Sequence, residues 1–258
     1  MKITFASTSQ IGGRDSNQDL TGSLPGDHRA CFLVCDGVAG LPGGDKAARI
    51  VCDRLLNELN QDRRYSPQET RLAVEKSARS VREAQQINPK FSHMSTTLAA
   101  LFIDRDQQLA WWAHAGDSRI YHFRRGYIYQ VTRDHSLAQQ MKDAGYENTG
   151  INSNLLYNAL GAEVERDASY SDALALEDGD AFLVCTDGFW LNLTSQEMEQ
   201  ALHMVNSPDE WLALMQIAIN RSAKSDNLSA VAVWVGSPQE TTLLQSLSDS
   251  ARFLPPRD

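Results

Sequence analysis

The sequence predicts an α+β fold in which helices cover antiparallel sheets, and three observations carry that prediction. Short apolar runs with strand character recur along the chain, two pairs of them are joined as hairpins, and the helical stretches fall in consecutive pairs. A doubly wound parallel sheet needs strict alternation of strand and helix, so the pattern argues against a dinucleotide fold.

Taken in order, the expected strands are ITFAST, ACFLVCD, TLAALFID, LAWWAHAG, RIYHFR, YIYQVT, AFLVCTD and LSAVAVWV, each bounded by turn residues. FRRGYIYQV carries Arg-Gly at its turn, and LFIDRDQQLAWW carries a polar four-residue connection; both favour antiparallel neighbours. Helices are expected over Gly44 to Asn60, Pro67 to Gln86, Leu137 to Ala144, Ser195 to His203 and Pro208 to Ala223. The glycines between Gly40 and Lys46 invite comparison with a phosphate loop, but Ala47 stands where that motif needs Ser or Thr. The stretch reads as a turn leading into a helix.

With 258 residues, 42% of them hydrophobic, the chain is long enough for a sizeable core, and no Pro-, Gly- or Ser-rich linker divides it. One domain over 1–258 is expected. The opening MKITFASTSQIGG lacks the apolar stretch of a signal peptide, and no segment approaches roughly eighteen continuous apolar residues. A cytosolic protein without membrane attachment is expected. Cys31, Cys35, Cys52 and Cys185 sit in apolar surroundings without CxxC spacing and read as core thiols. A net charge of −9 with no basic, aromatic-interleaved patch argues against nucleic-acid binding. No coiled-coil pattern is present, so a monomer is expected.

The chemistry is carried by aspartates. FLVCDG at 32–37 and FLVCTDG at 182–188 are near-repeats, each an apolar run that stops at a carboxylate. Asp36, Asp187, Asp117 in HAGDSR and Asp226 in KSDNLSAVAV all close or precede an apolar strand, and Asp19 in GGRDSNQDL joins them. A lone Asp-Gly is an ordinary turn. Five carboxylates beside buried strands are different, because convergence sets like charges against one another. Two such charges about 4 Å apart repel by roughly 4 kcal/mol at an effective dielectric of roughly 20, so a cluster must protonate or bind cations. Oxygen-only ligands select hard ions such as magnesium or manganese. Two such ions bridged by one carboxylate can hold a water, lower its pKa and aim it at phosphorus. Arg14, a few residues ahead of Asp19, is either a surface arginine at a turn or a fork for phosphate oxygens.

In order along nearly the whole chain, GGRDSNQD, CDGVAGLPGGDKAA, MSTTLAALFI, AGDSRIYHFRRGYIYQVTRDHS, CTDGFW and SDNLSAVAV resemble six motif blocks of the metal-dependent protein phosphatases (PPM, the type 2C serine/threonine phosphatases), most closely the compact bacterial members. The resemblance implies two stacked antiparallel β-sheets flanked by helix pairs, a four-layer α-β-β-α sandwich with metals at one end. It implies that Asp36 bridges two Mn2+ or Mg2+ ions, that Asp19 and the carbonyl of Gly37 serve the second, and that Asp187 and Asp226 hold the first. Asp117 matches an aspartate of a third, weaker metal, and Arg14 matches the phosphate-binding arginine. The implied activity is hydrolysis of phosphoserine and phosphothreonine in proteins by in-line attack of a dimetal-bound hydroxide, with an opposing serine/threonine kinase as a partner.

Four positions depart from the family pattern. Gln18 replaces a usual Glu, which implies a modest change in metal affinity. Val38 stands where some members carry a histidine proposed as general acid, and Ala39 and Leu41 replace a glycine and a histidine in the same loop. His135 is expected to help start a helix with Asp134 as its cap, and His114 to be packed. Trp111, Trp112, Trp211 and Trp234 are expected in the core, whereas Trp190 follows a ligand turn closely enough to line the site. The least patterned region, about 137–162, matches the family's mobile flap and is expected to set substrate choice; about 237–258 forms a short tail. The alternatives are a pseudophosphatase that binds a phosphoprotein without turnover and a structural calcium module; the latter lacks its twelve-residue acidic loop.

Overall fold

The run Ala30–Cys35 does not alternate in hydrophobicity because both its faces are buried, each in a different core. Ala30, Phe32 and Val34 point into one apolar cluster, and Cys31, Leu33 and Cys35 into another. The second run behaves the same way: Phe182 and Val184 join the cluster that holds Phe32 and Val34, while Ala181, Leu183 and Cys185 face a third. The twin strands are therefore facing walls of one interior.

A computed structural model describes residues 1–40, 42–60, 65–146, 150, 155–221 and 226–242. In chain order its elements are β1 (Ile3–Gln10), β2 (Asp19–Pro25), β3 (Arg29–Asp36), α1 (Gly44–Leu59), α2 (Pro67–Ile87), β4 (Leu98–Asp104), β5 (Leu109–Ala115), β6 (Arg119–Arg124), β7 (Tyr127–Val131), α3 (Leu137–Asp143), β8 (Ser169–Tyr170), β9 (Leu174–Ala175), β10 (Ala181–Cys185), α4 (Asp187–Trp190), α5 (Ser195–Met204), α6 (Pro208–Ile219) and β11 (Leu228–Val235). One sheet has the order β1-β11-β10-β6-β7 and the other β2-β3-β4-β5-β8, with β9 also paired to β5. Every pairing within them is antiparallel. Side chains from the two sheets meet in the middle cluster, α1 and α2 cover the outer face of the β2–β5 sheet, and α5 and α6 cover that of the other. The α+β four-layer sandwich is as expected.

Local chemistry explains the boundaries. Ser66 and Glu69 close a reciprocal capping box ahead of α2, with Pro67 in its first turn, and Thr194 and Glu197 do the same for α5. The Arg125-Gly126 turn between β6 and β7 has both residues at positive φ, 58° and 80°, the twist a tight hairpin requires. Gly43, at φ 98°, leads the glycine-rich stretch into α1, which is the turn expected there; Leu41 lies outside the described residues.

Some elements differ from expectation. β2, DLTGSLP, was not expected to be a strand because it is polar and holds Gly22. It forms because β3 supplies a full ladder, and Gly22 is where α1 packs closest: an added Cβ would lie 2.7 Å from Cys52 Sγ. The helix expected to reach Ala223 ends at Ile219 with Asn220 as its cap; Ala223 lies outside the described residues. Asp134 does not cap α3. Ser136 does, accepting from Gln139 N, because the Asp134 carboxylate is taken by a bidentate pair with Arg119 at 2.7 and 2.8 Å. All four cysteines are buried free thiols, and among the described residues no helix is long and apolar enough to cross a membrane. Residues 238–242 extend past β11 as helix.

Candidate metal centre

The open end of the β2–β3 pair is where the site begins. Asp19 is the first residue of β2, Asp36 the last of β3, and the ladder sets them directly opposite. Asp36 is clamped by its backbone: its N–H donates to Thr97 Oγ1 at 3.0 Å, and its carbonyl accepts from Thr97 N at 2.8 Å and Thr96 Oγ1 at 2.9 Å. Thr97 Oγ1 is in turn 2.6 Å from Ser118 Oγ, which ties this strand end to the turn that carries Asp117. Gly37 follows with no room for a side chain, because an added Cβ would collide with the backbone of Gly44 at the start of α1. The other sheet contributes Asp187, the first residue of α4, and Asp226, just ahead of β11. Thr186 joins the halves by donating its hydroxyl to Asp19 Oδ2 at 2.9 Å.

Arg14, Asp36, Gly37, Asp117, Asp187 and Asp226 line one cavity of about 400 Å³, together with Gln18, Val38, Ala39 and Leu156. Asp19 is not on the cavity wall; it lies behind, buried, and meets the others through Asp36. Arg14 sits at the rim, half-exposed, with Nη2 2.9 Å from Asp226 Oδ2.

Electrostatically the cluster is frustrated. Burial pushes Asp19 up to about 6, against hydrogen bonds from Ser229 and Thr186 that pull it down. Burial, then the charge of Asp187, pushes Asp117 up to about 7. Asp36 lies well above the ordinary carboxylate range because of burial, then the charges of Asp19, Asp187 and Asp117. Asp187 is raised by burial and by Asp226. The Asp36 carboxyl reaches those of Asp19 and Asp187, and a contact between two carboxylates is a hydrogen bond only while one of them holds a proton. Asp19 Oδ1 and Asp187 Oδ1 are buried with no donor to serve them. Such oxygens need either protons or a cation.

The donor set fits a hard divalent ion: carboxylate oxygens and the neighbouring Gly37 carbonyl, with no sulfur or imidazole on the cavity wall. Among the described residues the side chains do not form a finished cage of three converging ligands. What they form is an acidic wall, with orphaned oxygens behind it, into which an ion fits once the shared protons leave.

The histidines stand apart. His114 and His135 stack at 4.5 Å between centroids; His114 Nε2 bonds Arg133 O, and His135 Nε2 bonds Ser169 Oγ. Burial lowers His114, and burial with the charge of His114 lowers His135 to about 4, so both are neutral near pH 7. Neither lines the cavity. Trp190 does not line it either: its Nε1 donates to Asp117 O at 2.9 Å, and it borders an adjoining space of about 190 Å³ with Arg119 stacked on its ring at 3.3 Å. Trp111, Trp112, Trp211 and Trp234 are core residues, as expected. Sequence reasoning missed Thr97, Ser118, Thr186 and Asn227 as parts of the site. Ser118, Thr186 and Asn227 each stand next to one of the expected aspartates, an adjacency that could have found them; Thr97 has no such neighbour in the sequence.

The model of the family described as protein phosphatase 2C matches residues 7–230. The chain belongs to this family. Within it, 152 residues are 28% identical to the serine/threonine protein phosphatase PstP of Mycobacterium tuberculosis, over 57% of this chain and 28% of that one. An alignment over 165 residues is 29% identical to the serine/threonine phosphatase stp of Listeria welshimeri, over 61% of each. The chain thus spans less than two thirds of the length of these relatives. The crystal structure of the PstP catalytic domain in complex with two manganese ions superposes with a TM-score of 0.80 over 91% of this chain and 98% of that one, at 23% identity. PppA, a regulatory component of the type VI secretion system of Pseudomonas aeruginosa, superposes with a TM-score of 0.75 over 91% and 98%, at 26% identity. The family and the fold expected from the sequence are both present.

Proposed function

We propose that this chain is a metal-dependent serine/threonine protein phosphatase acting on phosphoserine and phosphothreonine in proteins. The observation that carries the reading is the acidic cluster itself: five aspartates from strand ends and turns of two sheets are brought together, and Arg14 stands at their rim. Solved with manganese, the PstP domain is similar in fold and supports a two-ion arrangement here.

In this reading Asp36 would serve both ions, Asp187 and Asp226 would hold one, Asp19 with the Gly37 carbonyl would serve the other, and Asp117 would be available to a third. Bound there, Mn2+ or Mg2+ supplies an activated water as nucleophile and neutralises the charge that builds on phosphate. The chain's own work is positional. The Thr96 and Thr97 clamp fixes the end of β3, Thr186 fixes Asp19, and Arg14 at the rim offers a planar fork to the non-bridging phosphate oxygens. Among the described residues no imidazole lines the cavity to protonate the leaving oxygen, and Val38 stands on its wall; in this reading water takes that part. Leu156, from the region matched to the flap, faces the same cavity and supports a role for that region in substrate choice.

Manganese-dependent hydrolysis of p-nitrophenyl phosphate, abolished by chelator and by Asp187→Asn, tests the assignment. Metal binding without turnover would point instead to a domain that recognises phosphoproteins and leaves them intact. The four free thiols support a reducing compartment such as the cytoplasm. An opposing kinase would be revealed by phosphoproteomics of a deletion strain.

A further inference from the structure

Arg14 belongs to a loop, residues 11–18, that protrudes between β1 and β2, and its residues 13–16 are exposed. A guanidinium on an exposed turn binds phosphate well only if the turn is held, because ordering it afterwards would cost conformational entropy. The turn's own backbone bond, Arg14 N to Ile11 O, is long at 3.4 Å. Asn17 fixes the exit of the loop, with Nδ2 on Ser9 Oγ at 2.9 Å and Oδ1 accepting from Asp19 N at 3.1 Å, but it does not reach the tip.

The tip is held from 209 or more residues away by one buried carboxamide. Asn227 Nδ2 donates to Ile11 O at 2.7 Å and to Ser16 O at 2.9 Å, and its Oδ1 accepts from Gln18 N at 2.9 Å. Two of these partners are carbonyls and the third is an N–H, so the orientation of the amide follows from its neighbours, and all of its donors and its acceptor oxygen are engaged. Ile11 and Ser16 flank Arg14 on either side. The neighbouring Asp226 completes the grip: its Oδ2 accepts from Arg14, its Oδ1 from Asn227 N at 2.8 Å, and its carbonyl presses on Gly12, where a side chain has no room.

We infer that Asn227 is a positioning residue for phosphate recognition: its carboxamide splints the 11–18 loop so that Arg14 is presented to the cavity already oriented. The inference rests on the phosphatase reading for what Arg14 binds, and on the hydrogen bonds alone for what holds Arg14.

The test uses the full chain loaded with Mn2+. Asn227→Ala is expected to raise KM for p-nitrophenyl phosphate and to weaken binding of inorganic phosphate, read by calorimetry, by about tenfold each, the size of a lost charge-assisted contact, with kcat changed less. Arg14→Ala should do the same, and the Arg14→Ala/Asn227→Ala pair should be no worse than Arg14→Ala alone, because both act through one guanidinium. Asn227→Asp keeps the acceptor for Gln18 N and removes both donors, so it should behave as Asn227→Ala even if the alanine variant fails to fold. Amide hydrogen exchange across 11–18 should accelerate in either variant, a readout independent of turnover. If the wild type does not hydrolyse the ester, the phosphatase reading fails while the exchange measurement still decides the splint. Unchanged exchange, unchanged phosphate affinity or fully multiplicative effects of the two substitutions would each overturn the inference.

Discussion

Asp19 and Asp36 are paired across the β2–β3 ladder, so two carboxylates meet at a position where cross-strand like charges ordinarily weaken a sheet. Asp36→Asn removes one of those charges and leaves an amide able to donate to Asp19 or Asp187. The metal-free variant should be more stable than the metal-free wild type, by on the order of 1 kcal/mol, while Mn2+-dependent turnover is lost. Thermal unfolding in chelator, beside an activity assay, checks both halves. A less stable variant would mean that the pair does not repel.

The same frustration sets a pH dependence. Asp19 and Asp117 rise from 3.8 to about 6 and about 7, and Asp36 and Asp187 move the same way. Between those limits the folded state binds more protons than the unfolded one, so the stabilisation is fully present below 3.8 and disappears as pH rises through 6 to 7. Asp180, held down by Arg124 and His122, has its window below the ordinary carboxylate value, and His114 and His135, lowered by burial, oppose the carboxylates only below their ordinary value of 6.5. Metal-free protein should therefore melt at a lower temperature at about pH 8 than at about pH 6.5, where the histidines contribute little to the difference, and saturating Mn2+ should reverse that order. Melting curves at the two pH values, with chelator and with Mn2+, read it directly.

Gly37 meets Gly44 backbone to backbone at the start of α1. Gly37→Ala should push α1 off the end of β3, lowering stability by roughly 2 kcal/mol or more and weakening Mn2+ affinity, as read by urea unfolding and a metal titration. An alanine accepted without cost would show that the helix start is not held there.

Asp134 lies beneath Arg119, whose guanidinium stacks on Trp190, and Trp190 bonds the carbonyl of Asp117. Asp134→Asn should destabilise the fold by about 2 kcal/mol, because it leaves a half-buried guanidinium without its counter-charge. Its effect on turnover should be smaller than that of Asp187→Asn. Urea unfolding and steady-state kinetics on the same preparations separate the two effects.

Much of this was legible in the chain because the strand-end aspartates follow apolar runs too long and too uniform to be surface turns. Asp36 and Asp187 announce themselves by the twin FLVC stretches, and the hairpin at Arg125-Gly126 by its turn chemistry. β2 was illegible: Gly22 and its polar neighbours have weak strand preference, and the strand exists because β3 offers a ladder and Cys52 needs the space. Asp134 was misjudged as a cap because Arg119, distant by fifteen positions in sequence, claims it in space. Asn227 carried no signal beyond its place next to Asp226, since three backbone partners in one distant loop are a property of the assembled molecule.

The strands that end at Asp36 and Asp187 are packed on both sides by apolar side chains, and none of that packing is supplied by an ion. The scaffold is thus expected to keep its shape when cations leave, and one divalent species to be traded for another without unfolding. Responsiveness to the prevailing supply of manganese or magnesium would then come from a rigid holder with exchangeable contents.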